Sequence, residues 1–222
     1  MTISISKQEV LRYLGYKGST IPDNLDTIIN NCIEISEETI NPKYVFESFL
    51  LQQSDEGILL PKPGILLTGN DIRNHLANCR EIYLLAVTIG IDADRLIRLK
   101  MVTAPEEGVI FNSAFSVAIE MVAENINQEI CIECNNRNLN TTWRYSPGYG
   151  DLPLDSQKDI LNALDAQNKI GLTVTDSLIL TPTKSITAII GVSDTTQDKR
   201  INKCDYCRNH EKCEFRKSGK KC

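Results

Sequence analysis

A short central segment combines side chains that suit the binding of a small polar molecule. It contains the guanidinium of Arg144, the hydroxyl of Ser146 and the phenol ring of Tyr149. Between them, Pro147 fixes its own φ and Gly148 admits a positive φ, so the segment predicts a tight turn that leaves backbone amides open to a ligand. A guanidinium can hold a carboxylate in two-pronged fashion, and a tyrosine offers a ring face or a hydroxyl. The alternative is a surface turn whose aromatic side chains serve only for packing.

A second group of reactive side chains lies near the end of the sequence. Half of the eight cysteines are clustered there, with the spacing Cys204-x2-Cys207-x5-Cys213-x8-Cys222. In a reducing compartment, clustered thiols indicate a metal site before disulfides, and so short a segment gains its order from a bound metal. Four thiolates suit tetrahedral zinc or an iron–sulfur cluster, for example of the 4Fe–4S type, and the spacing leaves both open. The alternative is a tail whose cysteines share no role.

Two weaker candidates lie on or next to the longest predicted helix, over about residues 107–129. Glu120 and Glu124 are one turn apart, so their carboxylates share a face beside the apolar stripe of this helix. Cys131 and Cys134 follow where the helix is expected to end. A C-x-x-C pair without a following βαβ pattern is more typical of buried thiols than of a redox pair or a metal half-site.

The elements that must position these residues are helices and short strands in irregular order. Apolar residues at helical spacing predict a helical N-terminal segment over residues 1–55. From about residue 56, short apolar runs between Pro and Gly predict strands mixed with helices. Since strict βαβ alternation is missing, we expect an α+β domain over residues 56–198, with a largely antiparallel mixed sheet and flanking helices. The Cys-rich metal-binding tail would occupy residues 199–222.

Composition and charge exclude several classes of protein. The chain has 222 residues, 41% of them hydrophobic and 24% charged, which is typical of a globular protein. The net charge is −5, although the last segment from residue 199 is basic, so binding of nucleic acid is not expected of the acidic body. The N-terminus lacks the pattern of a signal peptide, and no run of apolar residues is long enough to span a membrane. We therefore expect a cytoplasmic protein.

Three segments together resemble the activation domain of cobalamin-dependent methionine synthase. The run from Arg144 to Tyr149 is similar to an R-x-(A/S)-P-G-Y segment of that family, and Ile170 to Ser177 is similar to its I-G-(I/L)-x-L-T-(E/D)-S segment. The helix with Glu120-Met121-Val122-Ala123-Glu124 is similar to the family's E-x-x-x-E helix. The resemblance covers about residues 65–194.

The resemblance implies a ligand and the residues that bind it. The ligand would be S-adenosylmethionine. Arg144 matches the family residue that binds the methionine carboxylate, and Glu120 matches a glutamate that contacts the ligand. Ser146, Gly148 and Tyr149 match turn positions that contact the nucleoside and the methionine moiety, and no residue is assigned a catalytic role. A departure lies at residues 189–194, where the family has a tyrosine-bearing segment that contacts the ligand.

The resemblance also implies partners. The sequence contains no D-x-H-x-x-G cobalamin signature, so a stand-alone activation protein would act on cobalamin brought by methionine synthase or another corrinoid protein. It would support reductive methylation of cob(II)alamin, as a component of a methyltransferase system, with flavodoxin or ferredoxin as the electron donor. Because that reduction needs one electron and zinc has no redox chemistry, iron and sulfur are favoured for the tail.

Two other functions compete with this hypothesis. The first is an iron–sulfur redox activator of corrinoid methyltransferases that does not bind S-adenosylmethionine. The second is a zinc-bearing interaction module that contacts a partner through its basic tail.

Overall fold

A computed structural model of the chain describes residues 3–16, 20–195 and 211. The helices are α1 Lys7–Tyr13, α2 Asp23–Thr39, α3 Asn70–His75, α4 Ile91–Thr103, α5 Pro105–Asn136, α6 Ser156–Ala163 and α7 Ala166–Ile170. The strands are β1 Lys43–Leu50, β2 Gln52–Gln53, β3 Ile58–Leu60, β4 Ile65–Leu67, β5 Glu81–Thr88, β6 Asn140–Thr141, β7 Thr173–Val174, β8 Leu180–Thr181 and β9 Ser185–Ser193.

The strands form three sheets among the described residues. The largest has the order β1-β5-β9-β6, a second has the order β2-β3-β4, and β7 pairs with β8. Pairing is antiparallel between β2 and β3, β3 and β4, β6 and β9, and β7 and β8. The predicted α+β class with antiparallel sheets and helices is therefore confirmed. The predicted Cys-rich tail, residues 199–222, lies outside the described residues except for Glu211.

The chain folds into two compact units, each built from three stretches of sequence. The first unit comprises Met1–Val45, Ala86–Glu129 and Asp165–Ile186. The second unit comprises Phe46–Leu85, Ile130–Leu164 and Thr187–Cys222, as far as each is described. Neither unit is continuous in sequence, so each depends on contacts between distant parts of the chain.

The structure corrects the sequence-based elements at two places. Residues 43–50, predicted as part of a helical N-terminal segment, form β1 because Pro42 disfavours a helical residue before it and aromatic and β-branched side chains follow. The sequence also predicts one helix from Asp155 to about Gln167. This segment is instead broken into α6 and α7 at Asp165, which adopts a left-handed conformation with φ 51°. In contrast, the first helix begins where the sequence predicts, at Ser6 or Lys7: the Ser6 side chain caps α1 by accepting the Glu9 N–H at 3.4 Å.

The longest helix, α5, extends further than predicted at both ends. Pro105 begins it, since proline lacks the N–H that the first turn of a helix leaves unpaired. Its length and apolar composition would suffice to cross a membrane, yet 61% of its most apolar 18-residue stretch is buried within the protein. Its burial matches the core helix that the apolar stripe predicted.

A close approach in the second unit positions the strand β9. A Cβ atom at Gly191 would lie 2.5 Å from Cys79 Sγ and 2.8 Å from Thr142 Cγ2, so the site has room only for glycine. This approach lets the Thr142 N–H donate to the Gly191 carbonyl, and the Gly191 N–H donate to Thr142 Oγ1, both at 2.8 Å. The chain is thereby fixed two residues before Arg144.

Candidate functional site

The segment from Ser146 to Tyr149 is a tight turn, as its sequence predicted. The Tyr149 N–H donates to the Ser146 carbonyl at 3.0 Å, with Pro147 second and Gly148 third in the turn. Gly148 has φ 84°, which is the value that a type II turn requires at its third residue and that glycine adopts without strain. A Cβ atom there would also meet Leu154 Cδ1 at 3.1 Å.

The N-terminal side of the turn is tied to a buried strand. Tyr145 and Ile189 of β9 form an isolated antiparallel bridge, in which each N–H donates to the other's carbonyl at 2.8 Å. Both residues are buried. Arg144, directly before the bridge, is therefore held in a fixed backbone position with its side chain half-buried.

Four rings pack together around the turn and form what we call the aromatic cluster: His75, Trp143, Tyr145 and Tyr149. The ring centroids of His75 and Trp143 are 4.3 Å apart, and those of Tyr145 and Tyr149 are 5.4 Å apart in an edge-to-face arrangement. The rings of Trp143 and Tyr149 are 5.9 Å apart. Aromatic pairs of this kind contribute about 0.5–1.5 kcal/mol beyond their burial, so the cluster stiffens both flanks of the turn.

His75 joins α3 to the backbone beside Arg144. Its Nε2 atom lies 3.0 Å from the Trp143 carbonyl oxygen. Because a carbonyl can only accept, Nε2 must carry the proton. Burial lowers the pKa of His75 to about 4, although the Trp143 carbonyl opposes the shift. The ring is therefore neutral at pH 7.

The C-terminal side of the turn is held by Asp151. Its carboxylate accepts the backbone N–H groups of Asn70 at 2.6 Å and of Asp71 at 3.0 Å, which are the first two residues of α3. These groups have no acceptor within the helix, so Asp151 caps α3 from a distant part of the sequence. Gly69 makes the contact possible, because a Cβ atom there would lie 2.5 Å from Asp151 Oδ1.

Gly150 provides a second close approach next to Asp151. It has φ 53°, and a Cβ atom there would collide with Tyr145 Oη and would lie 2.6 Å from Asp71 Oδ2. A side chain at this position is excluded both by conformation and by space.

The turn uses most of its own backbone amides, which corrects the sequence-based expectation that they would be open to a ligand. The N–H groups of Tyr145, Gly148 and Tyr149 donate to Ile189, Leu152 and Ser146 respectively. By contrast, the Ser146 N–H and hydroxyl make no hydrogen bond to any residue that the structure describes. A type II turn uses the N–H of its last residue for its own hydrogen bond, and the bridge to β9 uses the N–H of Tyr145. These N–H groups are therefore not available to a ligand.

The predicted ligand residues divide between the two units. Arg144, Ser146, Gly148 and Tyr149 lie together in the turn of the second unit. Glu120 lies on an exposed position of α5 in the first unit. Burial raises the pKa of Tyr13 on α1, and the nearby Glu120 carboxylate raises it further.

Of the two predicted cysteine sites, the structure describes only the pair Cys131 and Cys134. Cys131 and Cys134 lie within the last turns of α5, and both are free thiols. Burial raises the pKa of Cys134 to about 11, while Cys131 Sγ lies 3.0 Å from Thr141 Oγ1. No group of three or more potential metal ligands occurs among the described residues. The four predicted tail ligands, Cys204, Cys207, Cys213 and Cys222, lie outside these residues.

Sequence reasoning missed His75 and Asp151. Neither residue belongs to a motif that the sequence makes apparent. A usable signal was present, since Gly69 and Gly150-Asp151 are glycines and an acid, which are residue types typical of turns and helix caps. That the two turns meet could not be deduced, because 80 residues separate Asp71 from Asp151.

Replacing Asp151 by alanine should destabilise the protein by about 1–2 kcal/mol, because two N–H groups of α3 lose their acceptor. Urea denaturation measures the change. Asp155→Ala is the matched control, since Asp155 is exposed and makes no capping hydrogen bond to α6. It should change stability by less than about 0.5 kcal/mol. Equal effects of the two substitutions would contradict the capping role.

Stability should fall on acidification because of His75. Its pKa is about 6.5 when unfolded and about 4 when folded, so its contribution is complete above pH 6.5 and is lost as the pH falls towards 4. His75→Gln keeps a donor for the Trp143 carbonyl and removes the titration. Between pH 7 and pH 5, wild type should lose about 1–2 kcal/mol more unfolding free energy than this variant. An equal loss of unfolding free energy in both proteins would contradict this role of His75.

Comparisons with known proteins agree with the motifs. Residues 107–213 match the family model described as vitamin B12 dependent methionine synthase, activation domain. Among solved structures, the fold is similar to that of the MetH reactivation domain bound to AdoHcy, with a TM-score of 0.65 and 13% sequence identity. That likeness covers 98% of this chain and 82% of the solved one. A search of curated proteins finds no match. The predicted resemblance is thus confirmed: in sequence motifs and in fold, this chain is similar to the activation domain of cobalamin-dependent methionine synthase.

Proposed function

We propose that this protein binds S-adenosylmethionine and supports the reductive methylation of cob(II)alamin on a corrinoid protein, foremost cobalamin-dependent methionine synthase. The observation that carries the proposal is the type II turn at Ser146–Tyr149, built from the motif that matches the family and preceded by Arg144. The solved relative with the same fold was determined with AdoHcy, the product that remains when S-adenosylmethionine gives up its methyl group.

The side chains of the turn suit the methionine end of the ligand. The half-buried Arg144 guanidinium would hold the ligand carboxylate, and charge-assisted pairs of this kind are about twice as strong as neutral hydrogen bonds. The Ser146 hydroxyl and N–H would donate to the ligand. The half-buried ring of Tyr149 would lie against its nucleoside or sulfonium.

From the family resemblance, we also propose that Glu120 contacts the ligand through its negative charge. The ligand carries an ammonium and a sulfonium, and a carboxylate attracts both. The support for this role is the family's E-x-x-x-E helix, which Glu120 and Glu124 match within residues 107–213.

The chemistry asked of the protein is positioning. The methyl group would pass from the sulfonium of the ligand to the reduced corrinoid of the partner, leaving S-adenosylhomocysteine. A rigid turn lowers the entropic cost of aligning the two reactants, and a covered site excludes water. A soluble electron donor such as flavodoxin or ferredoxin would supply the electron, and the encounter would take place in the cytoplasm.

We also propose that Cys204, Cys207, Cys213 and Cys222 bind an iron–sulfur cluster. The support is their clustering in the sequence and the basic residues among them, such as Lys203, Arg208 and Lys212, which favour thiolates. An iron–sulfur cluster could pass an electron to the corrinoid, whereas zinc could not.

Calorimetric titration with S-adenosylmethionine tests the binding site. Wild type should give a saturable heat, and Arg144→Ala should bind about 10–100-fold more weakly, since a charge-assisted hydrogen bond contributes about 1.5–3 kcal/mol. Arg80→Ala is the matched control: the Arg80 side chain is 88% exposed and lies in the same unit. Its affinity should equal that of wild type.

Decarboxylated S-adenosylmethionine identifies the group that Arg144 binds. With this ligand, Arg144→Ala and wild type should bind equally, because the carboxylate is missing. Glu120→Gln should weaken binding of the intact ligand, while Glu106→Gln, exposed at the start of α5, should not. With intact S-adenosylmethionine, no heat with wild type, or equal affinities of wild type and Arg144→Ala, would overturn the proposed site.

Anaerobic purification followed by iron, sulfide and zinc analysis tests the tail. We expect a coloured protein with iron and sulfide, which Cys207→Ser loses and Cys131→Ser retains. Stoichiometric zinc in a colourless protein would refute the electron relay and would favour the interaction module. Iron without any affinity for S-adenosylmethionine would favour the redox activator instead.

A further inference from the structure

A cleft in the first unit lies among residues to which the proposed function gives no role. Its volume is about 360 Å³, at the lower end of the range for small-molecule sites. Ile91 and Ile97 of α4 provide apolar lining, while Arg98, Asn112 and Thr183 provide polar groups. None of these residues belongs to the proposed S-adenosylmethionine site.

The acidic residue of the cleft has a structural role. Asp94 is buried, with 6% of its surface exposed. Its carboxylate accepts the Thr183 N–H at 2.8 Å and the Thr183 hydroxyl at 2.5 Å. These bonds hold the segment before β9 against α4. Both carboxylate oxygens are therefore occupied by Thr183.

The basic residue of the cleft has no such partner. Arg98 lies one turn after Asp94 on α4, and its Nε donates only to the Asp94 backbone carbonyl, at 3.4 Å. No carboxylate of the described residues lies within 4.0 Å of its guanidinium nitrogens. A guanidinium is always charged and offers five N–H donors, so most of its donors remain for a ligand.

The ammonium of Lys184 orients the side-chain amide of Asn112, which also lines the cleft. The Lys184 ammonium donates to Asn112 Oδ1 and to Ser116 Oγ, both at 2.8 Å, and to the Asn112 carbonyl at 3.2 Å. With its oxygen bound to Lys184, the Asn112 amide has its Nδ2 donors free of other described residues. Within the lining, Arg98 and Asp94 carry opposite charges, and the Lys184 ammonium, which contacts Asn112 from outside the lining, adds one positive charge next to the cleft.

We propose that this cleft binds a small monocarboxylate with an apolar body. The carboxylate would accept from the Arg98 guanidinium and from Asn112 Nδ2, and the apolar body would pack on Ile91 and Ile97. One excess positive charge matches one carboxylate, and an apolar wall favours a hydrocarbon chain over a hydroxylated one.

Hexanoate is a suitable probe, with hexanamide and hexylammonium as neutral and cationic counterparts of similar size. In amide correlation spectra of the uniformly nitrogen-15-labelled chain, hexanoate should shift the signals of Ile97, Asn112 and Thr183 saturably. A ligand this small should bind with a Kd on the order of 1 mM. Hexanamide and hexylammonium should bind at least 10-fold more weakly.

Arg98→Gln should weaken hexanoate binding at least 10-fold, while Arg95→Gln should leave it unchanged. Arg95 is the matched control because it lies on the same helix, is exposed and pairs with Asp92. Equal binding of hexanoate and hexanamide, equal binding by the Arg98 variant and wild type, or no saturable shift would each overturn the proposal. S-adenosylmethionine titrations on the same samples keep the two proposed sites apart, because Arg98→Gln should not change that affinity.

Discussion

The contact on which the candidate site depends joins the Asp151 carboxylate to the first two N–H groups of α3. Those groups have no acceptor within the helix, and a negative charge is favourable at a helix N-terminus, so one side chain satisfies both needs. The same helix carries His75, which donates to the Trp143 carbonyl before the turn. One short helix therefore holds the chain on both sides of Arg144–Tyr149. Gly69 and Gly150 are required because the approach leaves no room for a Cβ atom at either place.

These contacts explain how a turn of few residues can be rigid. The type II geometry and the bridge from Tyr145 to Ile189 satisfy most amides of the turn internally. In the proposed site, binding would therefore fall to the side chains and to Ser146, and the aromatic cluster holds the ring of Tyr149. Preorganisation of this kind reduces the entropy lost when a ligand binds, which is the contribution that we propose for this turn in methyl transfer.

Local chemistry could be predicted from the sequence, while long-range contacts could not. Pro147 and Gly148 favour a tight turn by their own backbone preferences, and the apolar stripe of α5 favours a buried helix; a tight turn and a long apolar helix were both predicted. The strand β1 was missed because its alternation is weak and its residues are largely exposed on both faces. His75 and Asp151 were missed because their roles arise only when two turns, distant in sequence, meet. The break at Asp165 was missed because the segment has no proline or glycine to mark it.

We propose that Arg144–Tyr149 binds S-adenosylmethionine through a turn preorganised by α3. Amide correlation spectra of the nitrogen-15-labelled full chain, recorded during titration with S-adenosylmethionine, test this binding site. The signals of Ser146, Gly148 and Tyr149 should shift saturably and with one common Kd. Signals of these residues that remain in place while the ligand binds and shifts others, or spectra without any response, would show that the turn is not the binding site.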